Sequence, residues 1–419
     1  NWEPFPIRPE RLDAVFITHA HIDHTGYLPR LVAQGFDGPV YASEATCALL
    51  ELLLPDSAYL QEQDAAYANK TGYSRHKPAL PLYSVEDAEA ALELLQPVAP
   101  EQSHAFDGLE ATWFPAGHIL GSSILQLDIR ASGNQRRAVF SGDLGGYRGP
   151  FMAEPTPINA ADILFVESTY GDRLHADQKP EAKLEELIRR VWDREGVLLI
   201  PSFAVGRTQQ VLYLIRQLQE AGKAPDIPVY IDSPMAVDAS HLYCDFGDDH
   251  NLEISLLMDQ ERCPLRCQDT SFVKEVQDSK ALNRRPGPAI IISASGMATG
   301  GRILHHLKWR LPDKRNSVLF IGYQAEGTRG RRLLEGAKNI RIHGQEIAVS
   351  AEIVQIDGLS AHADQAELLR WLAGFKVAPQ RALIVHGEPH ASQALRSQLA
   401  NDHGWSASMP QIGESIIIR

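Results

Sequence analysis

The length, composition and charge of the chain exclude several protein classes before any motif is considered. The sequence has 419 residues, 44% hydrophobic and 22% charged, which suffices for two substantial cores in a globular protein. We expect neither a membrane span nor a signal segment, because no apolar run approaches the roughly 20 residues a membrane helix needs. Four cysteines are too few for a disulfide framework in a chain of this size, so we expect free thiols and a reducing, cytoplasmic environment. A second, structural metal site at Cys263 and Cys267 is the alternative.

The net charge of −13 argues against a polyanionic partner for the protein as a whole. The charge is unevenly distributed, because residues 280–345 contain thirteen Lys and Arg against three Asp and Glu. A basic segment within an acidic protein predicts a local anion-binding surface. A solvated basic face is the alternative interpretation.

The first predicted element is a short buried strand at residues 13–18, followed directly by metal-competent side chains. His19, His21, Asp23 and His24 fall within six residues. If they are buried together, each needs a polar partner, and a metal ion supplies that partner for all of them. Imidazole nitrogen and carboxylate oxygen suit zinc, with manganese or iron as further options. A polar loop with a chance histidine cluster is the alternative.

Helices and strands then alternate as far as about residue 172. Helices are predicted over residues 26–34, 43–53, 57–71 and 84–95, and strands over residues 40–42, 110–114, 123–130, 136–140 and 163–166. His118 and Asp143 each stand beside a glycine after a strand, a placement typical of functional residues. Glu167 follows the last of these strands in Glu-Ser-Thr-Tyr-Gly.

Between residues 173 and 346 continuous apolar strands alternate with helices. Strands are predicted over residues 197–200, 229–231, 289–292 and 317–321, and helices over residues 181–194, 207–221 and 302–310. This pattern is typical of a parallel sheet covered on both faces.

The tail returns to strands at residues 346–349, 352–356 and 381–385 and to helices at 364–372 and 391–401. It carries His362 in Ser-Ala-His-Ala-Asp and His386 in Val-His-Gly-Glu. We therefore predict an α/β protein with one domain formed by residues 1–172 and 347–419 and an inserted domain at 173–346.

Taken together, these motifs resemble the metallo-β-lactamase superfamily. The pattern H-x-H-x-D-H at residues 19–24, then His118 and Asp143, follows the order of that superfamily. Glu167, His362 and His386, in the motifs quoted above, are similar to the three additional motifs of its β-CASP branch. That branch contains nucleases such as the cleavage and polyadenylation specificity factor endonuclease and ribonuclease J. The resemblance covers nearly the whole chain and is nearest to compact bacterial members.

The resemblance implies an αββα sandwich with an inserted β-CASP domain and an active site in the cleft between them. It implies two zinc sites, one formed by His19, His21 and His118 and the other by Asp23, His24 and His386, with Asp143 bridging them. Members of the family usually begin with two strands that carry a glycine-rich stretch and an Asp-Cys-Gly turn, and no such turn precedes His19 in this sequence. Without that segment the sheet would lack edge strands and the metal centre one supporting carboxylate, and we expect a truncated N-terminus rather than true absence of the segment.

The function that the resemblance implies is a two-metal ribonuclease that leaves 5′-phosphates, acting as an endonuclease, a 5′-exonuclease or both in RNA processing or decay. Asp143, His362 and Glu167 are the candidate catalytic residues. His362 is the candidate general acid for the departing 3′-oxygen, and Glu167 would orient it and favour its protonated form. A structural hydrogen bond in a turn is the alternative role for His362.

Candidate substrate contacts lie in the inserted domain. Small residues at turns after apolar strands expose backbone N–H groups to phosphate oxygens, and arginines add ionic contacts. The candidates are Ser202, Arg207, Ser295, Gly296, Arg302, Arg329 and Arg331. Steric demands alone also place Gly and Ser in such loops.

Single-stranded RNA is the expected partner, and a homodimer is a further expectation. The choice of RNA over DNA comes only from the resemblance, because the sequence shows no aromatic stacking platform. Three alternatives stay open: a metallohydrolase acting on a small molecule such as a thioester or lactam, a DNA-directed nuclease, and a non-catalytic RNA-binding subunit. The last of these would be expected to have lost metal ligands, whereas all seven are present in this chain.

Overall fold

The computed structural model describes all residues except 1, 4, 132–133, 148, 150, 176–179, 248, 252–253, 256–257, 259–262, 323, 357 and 417–419. The chain divides into two compact units. Unit 1 comprises Asn1–Arg148, Met152–Leu174 and His362–Arg419, and unit 2 comprises Gly149–Phe151 and His175–Ala361. None of the described helices combines the length and apolar character that a membrane crossing requires.

Unit 1 contains two sheets. The smaller is parallel, with the order β1 (Val15–Phe16), β2 (Val40–Ser43) and β3 (Leu95–Val98). The larger is mixed, with the order β18 (Ala407–Ser408), β17 (Arg381–Val385), β8 (Ile163–Glu167), β7 (Asn134–Phe140), β6 (Ser123–Ala131), β5 (Leu109–Pro115) and β4 (Ser103–Phe106). Its helices are a 3₁₀ turn (Pro9–Arg11), α1 (Ile22–Thr25), α2 (Leu28–Ala33), α3 (Glu44–Thr71), α4 (Val85–Leu92), α11 (Gln365–Leu372) and α12 (Pro389–His403).

The two sheets of unit 1 pack face to face through an aromatic core. Trp113 on β5 is fully buried, lies 5.7 Å from the Phe16 ring of β1, and donates its indole N–H to the backbone oxygen of Ile17 at 3.0 Å. The other face of the larger sheet is covered by apolar residues of α11 and α12, including Trp371 and Leu395. The layering confirms the αββα sandwich, and truncating an aromatic such as Trp113 to Ala would cost about 3–5 kcal/mol of stability.

Unit 2 is built on a six-stranded parallel sheet. Its order is β11 (Thr270–Phe272), β10 (Val229–Ile231), β12 (Ala289–Ser293), β9 (Val197–Pro201), β13 (Ser317–Ile321) and β16 (Glu352–Ile356), and a hairpin joins β14 (Asn339–Ile342) to β15 (Gln345–Ala348). Its helices include α5 (Pro180–Asp193), α6 (Arg207–Glu220), α7 (Pro234–Asp245), α8 (Val276–Leu282), α9 (Ile303–Arg310) and α10 (Arg329–Leu334). Every residue of β9, β12 and β13 is buried, as continuous apolar strands require.

One strand joins a different sheet from the one expected. Glu352–Ile356 was assigned by sequence to the first domain, but it pairs in parallel with β13, with Ser317 opposite Glu352. The local sequence pattern predicts a strand whichever sheet it joins, and tertiary packing determines the neighbouring strand with which it pairs. Unit 2 therefore extends to Ala361.

α3 is a single helix where the sequence suggested two. Ser43 caps it by accepting a hydrogen bond from the Thr46 N–H, and the helix continues through Pro55 to Thr71. An interior proline costs roughly 3 kcal/mol, because it removes one backbone hydrogen bond and clashes with the preceding turn. Buried residues on both sides of the proline, among them Leu54 and Ala58, hold the two halves in one helix.

The expectation of four free thiols is wrong for two of them. Cys244 and Cys263 form a disulfide, whereas Cys47 and Cys267 are free and buried. Burial raises the pKa of the Cys47 thiol to about 12 and that of Cys267 to about 11. Both free cysteines are therefore protonated, unreactive core residues at neutral pH.

Candidate metal centre

The candidate ligands meet because five strands of unit 1 end at the same edge. β5 and β7 are both antiparallel to β6, and β7, β8 and β17 are mutually parallel. Their carboxyl ends therefore lie together, carrying His118, Asp143, Glu167 and His386 in turn. The end of β1 is joined to this edge by a hydrogen bond from Ser123 N–H to Thr18 O at 2.8 Å, which places His19 beside them.

A first group of metal-competent atoms comes from His19, His21, His118 and Asp143, all within 4.8 Å of one another. Nε2 of His19 lies 3.3 Å and Nε2 of His118 lies 3.5 Å from Oδ2 of Asp143. Nδ1 of His21 is 3.2 Å from Nε2 of His118. Three imidazoles and one carboxylate thus face a common point.

The ligand atoms of a second group also lie within 4.8 Å of one another, and its residues are Asp23, His24 and His386. Nε2 of His386 lies 3.2 Å from Oδ2 of Asp23 and 3.0 Å from Nε2 of His24. The other carboxylate oxygen of Asp143, Oδ1, is 3.4 Å from His24 Nε2 and 3.5 Å from His386 Nδ1. Asp143 therefore stands between the two groups, with one oxygen directed to each.

The electrostatics of these residues favour the protonation states that bind metal. Burial lowers the pKa of His21 to about 3 and also lowers the pKa values of His19 and His118, so these imidazoles are neutral at pH 7. Burial acts to raise the pKa of Asp143, but the adjacent His19 and His24 imidazoles bring it well below its ordinary value.

His386, in the second group, has a raised pKa instead of a lowered one. A hydrogen bond to Asp23 raises the pKa of His386 to about 9, so binding an ion there releases a proton.

Buried ligand atoms that lack a hydrogen-bond partner indicate whether this set of side chains fits a metal ion. Among the described residues, Nε2 of His19 and Oδ1 of Asp143 are buried without a hydrogen-bond partner. Leaving such groups unsatisfied costs about 1–3 kcal/mol each, more for a charge. Both atoms point into the cluster, and both are of the kind that coordinates zinc. The residues present therefore fit a divalent metal.

A third group adds a histidine–carboxylate pair beside the ligands. Nδ1 of His362 lies 3.2 Å from Oε1 of Glu167 and 3.9 Å from Oδ2 of Asp143. Glu167 is fully buried and accepts hydrogen bonds from the N–H groups of Leu144 and Thr169 at 2.7 and 3.1 Å. Burial acts to lower the pKa of His362, but the charge and hydrogen bond of Glu167 raise it.

Close backbone contacts fix the position of His362. It forms a β-bridge with Gly145, and the N–H of the next residue, Ala363, donates to Leu144 O at 2.8 Å. A Cβ at position 145 would lie 2.0 Å from the backbone oxygen of Gly117, so only glycine fits. The loop after β7 thus presents Asp143 and holds His362 through one short segment.

Two threonines that the sequence analysis did not single out support the ligands. Thr18 Oγ1 hydrogen-bonds with His19 Nδ1, and Thr169 Oγ1 with His386 Nδ1, both at 3.2 Å. Such contacts orient metal-bound imidazoles. Their only sequence signal is adjacency to a ligand motif. His386 itself has φ +50°, a strained conformation for a non-glycine residue.

The candidate substrate contacts of unit 2 fall into two sets. Ser202, Arg207, Ser295 and Gly296 follow the ends of the neighbouring strands β9 and β12, where a Cβ on Gly296 would lie 2.9 Å from the Phe203 ring. Ser295 Oγ accepts from the N–H groups of Thr299 and Gly300 at 3.1 and 3.4 Å. These residues form one compact group of loops.

The three remaining candidates are arginines whose guanidinium groups make different contacts. The Arg302 guanidinium donates to Asp232 Oδ1 and to two backbone carbonyls at 2.6–3.2 Å. Arg329 donates to the carbonyls of Arg341 and Thr299 at 2.9 and 3.0 Å. Arg331 is exposed, and its guanidinium pairs with Glu335 four residues along the chain. Arg302 and Arg329 thus hold backbone segments of unit 2 in place.

An αββα sandwich with histidine and aspartate ligands at its strand ends defines a hydrolase of the metallo-β-lactamase class. Three family models match the chain in order: a beta-lactamase superfamily domain over residues 1–191, a Beta-Casp domain over 208–333, and a Zn-dependent metallo-hydrolase RNA specificity domain over 346–410.

Relatives cover nearly all of the chain. Ribonuclease TTHA0252 of Thermus thermophilus is 36% identical over 417 residues, covering 99% of this chain and 90% of its own. The RNase J-like protein of Methanocaldococcus jannaschii is 30% identical over 91% of this chain and 83% of its own. Transcription termination factor FttA of Pyrococcus abyssi is 33% identical over 97% of this chain, which spans only 62% of that relative. The chain belongs to the β-CASP ribonuclease branch of the metallo-β-lactamase superfamily, as its motifs predict.

Proposed function

We propose that the protein is a ribonuclease that binds two zinc ions and hydrolyses RNA phosphodiester bonds, leaving 5′-phosphates. The observation that carries the proposal is the position of Asp143. Its two oxygens face two separate ligand groups, and the His362–Glu167 pair lies 3.9 Å away at its nearest. The names of two relatives, Ribonuclease TTHA0252 and RNase J-like protein, support RNA as the substrate.

Seven side chains would hold the two ions. His19, His21 and His118 would bind one, Asp23, His24 and His386 the other, and Asp143 both. Divalent ions in such a pair activate water and stabilise the charge that develops on a phosphodiester. The chain supplies neutral imidazoles and an ionised carboxylate, and Thr18 and Thr169 fix the orientation of two of the rings.

His362 is the proposed general acid. Its Nδ1 faces Glu167, so we assign Nε2 as the atom that donates a proton to the departing 3′-oxygen. Water gives its oxygen to phosphorus and a proton to solvent, the bond from phosphorus to the 3′-oxygen breaks, and that oxygen takes the proton from His362, which solvent then restores. The product downstream of the break keeps a 5′-phosphate. Glu167 acts through His362 and is a positioning residue.

RNA contacts are proposed for the loops after β9 and β12 in unit 2. Ser202, Arg207, Ser295 and Gly296 would approach phosphate oxygens, with Arg331 adding an exposed charge. Arg302 and Arg329 have their guanidinium groups engaged inside unit 2, so we assign them to holding those loops. Single-stranded RNA as substrate, a homodimer and a cytoplasmic location remain predictions.

The test uses purified protein with one RNA labelled at its 5′ end and, separately, at its 3′ end. We expect cleavage that chelator abolishes and zinc restores, with products that carry a 5′-phosphate. The label pattern separates internal cleavage from removal of nucleotides at the 5′ end. DNA of the same sequence and a panel of thioesters and lactams serve as controls. Chelator-resistant cleavage, or hydrolysis confined to the small-molecule panel, would contradict the proposal.

A further inference from the structure

Exposed aromatic side chains lie where α3 ends, far along the chain from every metal ligand. Tyr67 and Tyr73 are 61% and 66% exposed, and their ring centroids are 6.0 Å apart. Large exposed aromatics in proximity are uncommon on a surface that binds nothing. Exposed aromatic faces of this kind are what stacking of unpaired bases requires.

Basic side chains surround these rings. Lys70, Arg75 and Lys77 are exposed, and residues 65–85 contain no Asp or Glu although the whole chain carries −13. Within the described part of the chain, none of the three forms an ion pair. Other exposed arginines, such as Arg189 and Arg315, are each paired with a neighbouring acid. The uncompensated charge favours an anionic partner.

The loop that carries two of these cations is pinned to the helix. Asn69 donates its side-chain N–H to Ala79 O at 2.9 Å and accepts the Ala79 N–H at 2.7 Å. Gly72 ends α3 in the left-handed conformation, φ +70°, which turns the chain back towards Asn69. The surface is therefore ordered before a ligand arrives, which lowers the entropic cost of binding.

We propose that Tyr67, Lys70, Tyr73, Arg75 and Lys77, which we call the α3 tip, bind single-stranded RNA outside the catalytic centre. Bases stack on the tyrosines and phosphates contact the cations, the combination that sequence-independent binders of single strands use. The proposal rests on the proposed ribonuclease function and adds a second site that holds the substrate.

The length of α3 determines which RNAs can use this site. At 1.5 Å per residue, Tyr67 lies up to about 35 Å along the helix from Glu44. Glu44 follows Ser43, whose hydroxyl donates to Gly121 O in the loop that carries His118. The α3 tip is thus remote from the ligands. It affects the binding of long RNA and leaves the chemistry on a short oligonucleotide unchanged.

The test compares two RNA lengths on the full chain. Binding is measured by fluorescence anisotropy in chelator with oligouridine of about 20 nucleotides, longer than the roughly 4–16 that one binding fold covers, and with a trinucleotide. Tyr67→Ala/Tyr73→Ala should weaken long-RNA binding by about 10-fold or more, since each stacked base contributes substantially. Lys70→Gln/Arg75→Gln/Lys77→Gln should flatten the salt dependence by about 2 in log–log slope.

Controls identify the effect as stacking. Tyr67→Phe/Tyr73→Phe keeps the rings and should retain at least most of the affinity. Tyr59→Ala removes another exposed tyrosine of α3, 54% exposed, and should change nothing. Turnover of the trinucleotide with zinc should equal that of the wild type in every variant, which shows that the variants fold.

Three results would overturn the inference while leaving the ribonuclease proposal intact. They are unchanged long-RNA affinity in the double alanine variant, equal loss in the Tyr59→Ala control, and a dimer that the double alanine variant converts to monomer without loss of RNA binding. If the wild type cleaves no RNA of either length, the proposed function fails instead. The two failures are therefore distinguishable.

Discussion

Each unit contains a buried aspartate in contact with histidine, Asp143 in unit 1 and Asp232 in unit 2, and the two differ in what their oxygens contact. Asp143 in unit 1 is 2% exposed and Asp232 in unit 2 is fully buried. Asp232 receives Arg302 at 2.8 Å on Oδ1, and His306 and Ser279 at 2.6 Å on Oδ2. Asp143 has imidazoles around both oxygens, yet its Oδ1 makes no hydrogen bond among the described residues.

The difference separates a structural carboxylate from a binding carboxylate. Around Asp232 the chain itself supplies a guanidinium, an imidazole and a hydroxyl, so nothing further is required. Around Asp143 the neighbours include His19 and His118, two imidazoles held neutral by burial, and a cation would satisfy the ligand atoms together. Whether both oxygens of a buried carboxylate are hydrogen-bonded by the chain therefore distinguishes a structural from a metal-binding aspartate better than the number of nearby histidines does.

Removing the carboxylate charge at position 143 should produce the largest effect. Asp143→Asn takes away the group that faces both ligand sets, so we expect loss of bound zinc and a fall in cleavage of at least about 10³-fold, or roughly 4 kcal/mol of transition-state stabilisation. Metal per chain and turnover are measured on the same preparation. A variant that retains two ions and normal activity would refute the bridging role.

One histidine variant in each unit tests the same difference at the residues that neighbour Asp143 and Asp232. His362→Ala should keep its metal and lose about 10²–10⁴-fold in turnover, the usual contribution of a general acid. His306→Ala, which removes the partner of Asp232, should leave turnover per folded molecule unchanged and lower stability. Full RNA cleavage by His362→Ala would exclude it as the acid.

Asp232→Asn should destabilise unit 2 without changing metal content. It leaves Arg302 and His306 facing an amide, so the free energy of unfolding should fall by about 3–5 kcal/mol in urea titration. Burial acts to raise the pKa of Asp232, but hydrogen bonds from His306, Ser279 and Arg302 hold it below its ordinary value.

The same variant gives a pH test with a fixed sign. A depressed folded pKa stabilises the protein above the unfolded value of about 3.9, and this contribution is lost as the pH falls through the folded pKa. Stability of the wild type should therefore fall more steeply below about pH 4 than that of Asp232→Asn. Parallel curves would show that this carboxyl does not contribute.

The smallest effect is expected at an exposed arginine. If Arg331 contacts phosphate, Arg331→Gln should reduce the slope of log affinity against log salt by about 0.7, as for one contact to a single strand. Arg302→Gln should instead lower the stability of unit 2. An unchanged slope for Arg331→Gln would remove it from the RNA contacts.

The sequence revealed the metal cluster because four candidate ligands lie within six residues, and motif order located the rest. It did not reveal the role of Asp232, which also follows a strand but has no glycine beside it. Its partners Ser279, Arg302 and His306 are brought to it by the parallel sheet of unit 2. Arg302 accordingly looked like a phosphate ligand, since its neighbours along the chain are glycines and not the carboxylate it binds.

The bridge between Gly145 and His362 has a consequence for how the protein is made. The chain leaves unit 1 after Leu174 and returns at His362, the residue that joins the loop after Asp143. A ribosome therefore releases the histidine-rich N-terminal segment long before it has synthesised His362 and His386. The site is therefore completed only after the whole of unit 2 has been synthesised.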